Sequence, residues 1–449
     1  MTLQFLKPRL AAVAVAAVCL GWAATASADR GAGSGLPVAL PAPVPCIFGA
    51  GPPACFGPYE FTQAYNFPAG FDGTGQTIVI LTPYGDPTLQ QDVDLFSGFF
   101  GLSSTTVDVV PVAGSGAAGS GQRQFWAIET ATDVEYAHAL APGAKIVVAQ
   151  AATDDNSDLV LAAARVLPRY PGAVVSMSFG DFETDSTAGT FVSQLHAVFL
   201  LATALRETLV AASGDLGATF TPLTGSDTPV AGYPASDPLV TAVGGTMPLQ
   251  GPGGLLVNGA YGGEQVWNEP PGASGGAPSI LFPAPPWQRP VTDYKTRTVP
   301  DVAFNAESAG GATVFALGRP GLVGGTSLGA PSWAAIFALV NQSRASMGRG
   351  PIGLANDNLY KLGKKNAGDF HDITVGSNAF LSPTGFQAGP GYDLATGWGT
   401  PNVANLVADL AKAPSGGNFD GGMFKLPKFP GEHGHKQHAP HTVVAGGDD

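Results

Sequence analysis

Short runs of aliphatic and β-branched residues recur along the middle of this chain, each followed by a longer stretch with helical periodicity. The runs are QTIVILT at 76–82, AKIVVAQA at 144–151, AVVSMSF at 173–179, TLVAA at 208–212 and LVTAV at 239–243. They lack the apolar/polar alternation of a strand with one wet face, so each should be buried on both faces. The intervening segments 86–99, 125–140, 157–167 and 190–206 read as helices, the first opening on Asp86-Pro87. Strand–helix alternation of this kind specifies an α/β fold: a mostly parallel central sheet with helices on both faces. Beyond a loop-rich stretch at 250–300, residues 300–304 and 313–316 supply short strands and 327–345 a second long helix. No internal repeat is present. The simplest organisation is one domain over 57–411, a Gly/Pro-rich lead-in at 29–56 and a polar tail at 412–449.

Composition narrows the class. Of 449 residues 45% are hydrophobic, which excludes a disordered chain. A net charge of −13 excludes a nucleic-acid or anionic-membrane footprint. Only 12% of residues are charged, with 21 Lys and Arg. Acidification therefore leaves few like charges to repel one another, and the chain should tolerate acid.

The N-terminus reads as a secretory signal over residues 1–28. Lys7 and Arg9 precede an apolar run at 10–22, and Ala26-Ser27-Ala28 offers a cleavage site before Asp29. The expected location is extracellular, with no stable membrane association once the signal is removed. The apolar stretch 191–212 carries Gln194, His196, Arg206 and Glu207, so it reads as buried helix and strand rather than a span. Cys19 leaves with the signal; Cys46 and Cys55 remain and are expected to form one disulfide.

Four constellations carry possible chemistry. Gly324-Gly325-Thr326-Ser327 ends a glycine turn and opens a helix, where free N–H groups favour developing negative charge on or near a serine. Such a nucleophile needs a base, and the histidines do not offer one. His433, His435, His438 and His441 lie in the tail, a solubilising segment rather than a metal site, and His138, His196 and His371 stand in unrelated settings. Glu129 and Asp133 are better candidates. At i and i+4 they share a helical stripe with Trp126, Tyr136 and Leu140, so the stripe should be buried. Two buried carboxyls side by side share a proton, and their titrations are pushed apart. Asp215 follows the run 208–212, at a strand C-terminus where α/β sites gather, and a protonated Asp there could donate to an oxyanion. Lastly, Asp372-Ile373 and Gly389-Pro390-Gly391-Tyr392-Asp393 offer carboxylates and glycine-freed carbonyls, the all-oxygen shell that calcium takes.

Together and in this order the four constellations resemble the sedolisin family of serine-carboxyl peptidases over roughly residues 57–411. The resemblance implies a subtilisin-like fold and endo- or tripeptidyl-peptidase activity on polypeptides in acid. It implies Ser327 as nucleophile, Glu129 as general base and Asp133 as the partner hydrogen-bonded to Glu129. Asp215 would serve the oxyanion with the Ser327 N–H. One structural calcium ion would be held by Asp372 and Asp393 and the carbonyls of Ile373, Gly389 and Gly391. Two departures stand out. Family precursors carry a long N-terminal prodomain, whereas fewer than about thirty residues separate the signal from the domain here. The domain is therefore expected to fold unaided or with a separate helper. Gly324 also stands where many relatives have serine. The competing readings are a histidine-dependent subtilisin, opposed by the histidine settings, and a catalytically silent secreted peptide-binding protein, opposed by the intact carboxyls and serine.

Overall fold

The computed structural model describes residues 46–47 and 55–416, apart from 114–119, 185–187, 222–224, 253 and 366–367. The signal at 1–28, nearly all of the lead-in and of the tail, and its four histidines lie outside the described residues. Cys46 and Cys55 are joined as a disulfide, the pairing expected from the sequence. Phe56 then bonds through its N–H and carbonyl to Gly311 and Thr313, fixing the end of the lead-in to the domain.

Eight strands form one sheet: β1 Thr77–Pro83, β2 Val107–Pro111, β3 Lys145–Ala151, β4 Val174–Met177, β5 Thr208–Ala212, β6 Val240–Pro248, β7 Glu264–Val266 and β8 Val302–Asn305. Their spatial order is β7-β6-β5-β4-β1-β3-β2, with β8 also beside β6. All pairings are parallel except β7 with β6. The helices are α1 Pro58–Ala64, α2 Leu89–Phe100, α3 Ser120–Leu140, α4 Asn156–Val166, α5 Ala188–Ala204, α6 Thr326–Ser346, α7 Asn356–Lys365 and α8 Val403–Lys412. A hairpin, β9 Ala312–Ala316 with β10 Arg319–Val323, lies outside the sheet.

Successive side chains of a strand point to opposite faces, and β1 shows both being used. Ile78 and Ile80 pack with Val134 and Ala137 of α3 and with Leu328, Trp333 and Phe337 of α6. Val79 and Leu81 pack with Leu159 and Val166 of α4 and with Leu195 and Phe199 of α5. The strands therefore read as unbroken apolar runs, since neither face reaches water. Helix α6 is buried from Thr326 through Asn341.

Pro331 sits inside α6. Lacking an N–H, it cannot bond the carbonyl four residues back, which is that of Ser327. This carbonyl instead accepts from the Ser178 hydroxyl at 3.3 Å. The proline thus opens the first turn of α6 toward the end of β4.

Behind the sheet, Asp301 fastens the entry to β8. Its carboxylate accepts from Arg297 (2.6 Å), Tyr360 (2.8 Å) and the Ala242 N–H (2.8 Å), all buried. Asp301→Ala leaves the Arg297 guanidinium buried without a counter-charge, and should destabilise the fold by about 3–5 kcal/mol in urea unfolding. Replacing both residues with apolar ones of similar volume should cost clearly less than the single change.

Candidate active site

Helix α3 presents Trp126, Glu129, Asp133, Tyr136 and Leu140 on one buried stripe, as the spacing required. No basic side chain acts on either carboxyl. Burial, then the neighbouring charge of Asp133, push the Glu129 pKa well above the ordinary carboxylate range, and the Asp215 charge adds to this. The Ser327 hydroxyl, hydrogen-bonded to Glu129, is the group that draws it back down. Burial raises Asp133 to about 8, opposed by the Ser178 hydroxyl, which donates to Asp133 Oδ1 at 2.6 Å. Glu129 Oε1 and Asp133 Oδ2 are buried with no donor among the described residues.

Asp215 follows β5 directly. The Thr326 N–H (2.8 Å) and hydroxyl (2.7 Å) both donate to its Oδ1, and the Gly214 N–H returns a bond to the Thr326 hydroxyl at 3.1 Å. The start of α6 is thereby locked to the end of β5. Burial outweighs the Thr326 donors and lifts the Asp215 pKa to about 6. Gly325 has φ +121°, and a Cβ there would come within 2.6 Å of Asp215 Oδ2. Position 324 admits no side chain either, because a Cβ would fall 2.5 Å from the Glu307 carbonyl oxygen. The glycine that departs from the common serine is therefore matched to its surroundings.

Ser327, Asp215 and Ser178 line one cleft, walled by residues 178–181 and 212–215 together with Phe220. The Ser327 N–H belongs to the first turn of α6, whose N–H groups have no acceptor within the helix. The structure thus brings Ser327, Glu129, Asp133 and Asp215 together. The described histidines are engaged elsewhere: His138 with the Ser103 carbonyl (2.9 Å), His196 with Asp237 (2.7 Å), and His371 stacked on Tyr261.

Asp372 and Asp393 meet at a different place, around one glycine turn. The Gly391 N–H donates to Asp372 Oδ2 (2.8 Å) and the Gly389 N–H to Asp393 Oδ2 (3.0 Å). The carbonyls of Ile373, Gly389 and Gly391 accept from no donor among the described residues. No group of three or more His, Cys, Asp or Glu able to hold a metal occurs among the described residues. A cation here would rely on carbonyls as much as on carboxylates, which suits a hard ion such as calcium.

Reasoning from sequence missed Ser178 and Thr326. Both are hydroxyls at element ends, and Ser178 could have been noticed as a polar residue closing a run buried on both faces.

The fold and site define a class: a subtilisin-like α/β domain with a serine and three carboxyl groups buried together. Comparison with known proteins agrees. No family model matches the chain. It is 36% identical over 378 residues to kumamolisin of Bacillus sp. (strain MN-32), covering 81% of this chain and 65% of that protein. It is 27% identical over 364 residues to sedolisin of Pseudomonas sp. (strain 101), covering 78% and 60%. It is 31% identical over 390 residues to tripeptidyl-peptidase 1 of Mus musculus, covering 79% and 64%. A solved structure of Pseudomonas sedolisin, a serine-carboxyl proteinase complexed with pseudo-iodotyrostatin, superposes with a TM-score of 0.68 at 27% identity, covering 79% of this chain and 97% of that one. The chain belongs to the sedolisin family. It spans 65%, 60% and 64% of the length of the three curated relatives.

The raised carboxyls make stability depend on pH. Asp86 and Asp215 are lifted to about 6, and Asp133 and Glu207 to about 8, all chiefly by burial. The folded state binds these protons more tightly than the unfolded chain does. Their stabilisation is complete below the ordinary carboxylate range and is lost as pH rises through about 6 to 8. His138 and His371, held low by burial, act in the opposite sense. The melting temperature should fall between about pH 4 and about pH 8, read by calorimetry at constant ionic strength.

Proposed function

We propose that the protein is a secreted serine-carboxyl peptidase that hydrolyses polypeptides in acid, with Ser327 as nucleophile and Glu129 as its base. The observation that carries this reading is the Ser327 hydroxyl bonded to a buried glutamate, in a site with carboxyl groups and neither a histidine nor a cation. Secretion rests on the N-terminal signal pattern and agrees with the disulfide. No helix among the described residues is long and apolar enough to cross a membrane.

In the proposed reaction Ser327 Oγ attacks the substrate carbonyl carbon while its proton passes to Glu129. The tetrahedral oxyanion accepts hydrogen bonds from the Ser327 N–H and from protonated Asp215. Because Thr326 donates twice to Asp215 Oδ1, the Asp215 proton belongs on Oδ2. Glu129 then gives its proton to the leaving nitrogen and the C–N bond breaks. Water then gives a proton to Glu129 and attacks the acyl carbon, and the bond to Ser327 Oγ breaks as Glu129 returns that proton to the serine. Asp133 acts through Glu129, the two sharing a proton between the oxygens that lack any other donor. Asp372, Asp393 and the carbonyls of Ile373, Gly389 and Gly391 would hold calcium, whose bound charge would tie that turn to the domain.

Activity on a denatured protein should follow a bell lying on the acid side, falling as pH rises through about 6 when Asp215 ionises. Ser327→Ala should lose on the order of 10⁴-fold or more with the fold intact, and Glu129→Gln should also be inactive. Ser178→Ala removes a donor that lowers the Asp133 pKa, so it should shift the acid limb to higher pH rather than abolish turnover. A neutral optimum that survives Glu129→Gln would contradict the mechanism. Excess chelator should lower the melting temperature by removing bound calcium. An unchanged transition, with no metal in the purified protein, would remove calcium from the account.

A further inference from the structure

A second hollow of about 450 Å³, sharing no residue with the cleft at Asp215, lies between the first half of α3 and the β9–β10 hairpin. Its floor exists because the hairpin is built from small residues at this point. The cross-strand pairs Val314–Gly321 and Ala316–Arg319 put Ala316 and Gly321 on the lining. Gln124 and Ile128, one turn apart on α3, form the facing wall. A Cβ on Gly321 would touch only Val314 Cγ2 at 3.9 Å, so the space in front of it is open. The lining is otherwise apolar, and Arg319, exposed, is its single charged member.

The hollow adjoins the proposed catalytic residues along the chain. Ile128 immediately precedes Glu129, and Val323 leads through two glycines into Thr326-Ser327. A base that takes the serine proton must return it to the leaving nitrogen, so the departing segment lies on the side of Glu129. The oxyanion forms on the acyl carbon, so the acyl side of the substrate lies with Asp215 in the first cleft. Resting on the peptidase reading, we infer that this hollow receives a large apolar side chain from the substrate segment that follows the cleaved bond. Gln124 and Leu317 also bound a further hollow at Tyr84 and Arg123. The departing segment therefore has a path several residues long, which fits cleavage inside a chain. Arg319 at the lining disfavours a basic side chain in the same place.

The test is digestion of a denatured protein mixture in acid, with cut sites read by mass spectrometry. The wild type should favour Leu, Met or Phe over Gly, Lys and Arg by about 10-fold at one of the first two positions after the cut. Gly321→Leu fills the hollow and should shift that position to small residues, leaving the preference before the cut unchanged. Arg319→Glu alters only an exposed side chain and should admit Lys and Arg there. Cleavage with no selectivity after the bond, or selectivity that both folded variants leave unchanged, overturns this inference while the peptidase reading stands. No cleavage by the wild type at any pH overturns that reading and this inference with it.

Discussion

Three carboxyl groups, those of Glu129, Asp133 and Asp215, are buried together with no cation among them. An isolated buried carboxylate is too costly to keep ionised, so a site of this kind is neutralised by protons. On the mechanism proposed above, its working state is one in which some carboxyls are protonated, a state populated in acid. The division of labour follows from local donors. Glu129 has the Ser327 hydroxyl to favour its ionised form, whereas Asp215 has one oxygen already occupied by Thr326 and offers the other to the proposed oxyanion. In the proposed reaction one group accepts a proton and the other donates a hydrogen bond, although both are carboxyls on the same fold. Histidine, protonated below about pH 6, could not serve as the base under those conditions.

The geometry that keeps these groups in place runs through the backbone. Thr326 ties the start of α6 to the end of β5, and Pro331 frees the Ser327 carbonyl for Ser178 at the end of β4. Ser178 in turn fixes Asp133. Two strand ends and two helices are thus linked by side chains that also line the cleft. Gly325 is required because Asp215 Oδ2 occupies the volume of any side chain, which sets the turn before Ser327 directly against the Asp215 carboxyl. A shift of α6 along its axis would disturb Ser327, Asp215 and Asp133 at once.

Much of this could be read in advance where burial is two-sided. β5 was expected at 208–212, where it lies, and β1, β3 and β4 differ from their expected limits by one or two residues. α6 was expected at 327–345 and spans Thr326–Ser346. β2 was missed because it is an edge strand, half exposed along its length and carrying Asp108, so it has no apolar run to announce it. The stretch at 250–300 was read as loop-rich; it contains β7, two hairpins of two-residue strands and the strand Pro278–Pro283 paired with Thr296–Thr298, elements too short or too irregular to give a periodic pattern. β7 contributes Glu264, whose carboxylate collects hydroxyls from Tyr65, Thr246, Tyr261 and Thr400. No local pattern could show that convergence. The four proposed catalytic residues were visible from spacing and family pattern, whereas Ser178 and Thr326 act through hydrogen bonds that only the folded chain assembles.

Glu264 shows how the wider fold treats acid. Its donors are neutral hydroxyls, and a hydroxyl can accept as readily as it donates. If Glu264 takes a proton, the acid can donate to one of those oxygens while its other oxygen still accepts, so the network turns over without breaking. Glu135, held by the Phe315 N–H, and Glu183, held by Ser279 and the Ile280 N–H, likewise have neutral partners. A buried ion pair behaves differently, since protonating its acid strands the cation. The two fully buried pairs are Arg297–Asp301 and His196–Asp237 among the described residues. In the second, desolvation would lower the histidine pKa, but Asp237 raises it overall, so acid holds the imidazole charged beside its partner. The chain therefore buries acidic groups mainly on partners indifferent to protonation, and the active site extends the same rule to the point where a proton must move.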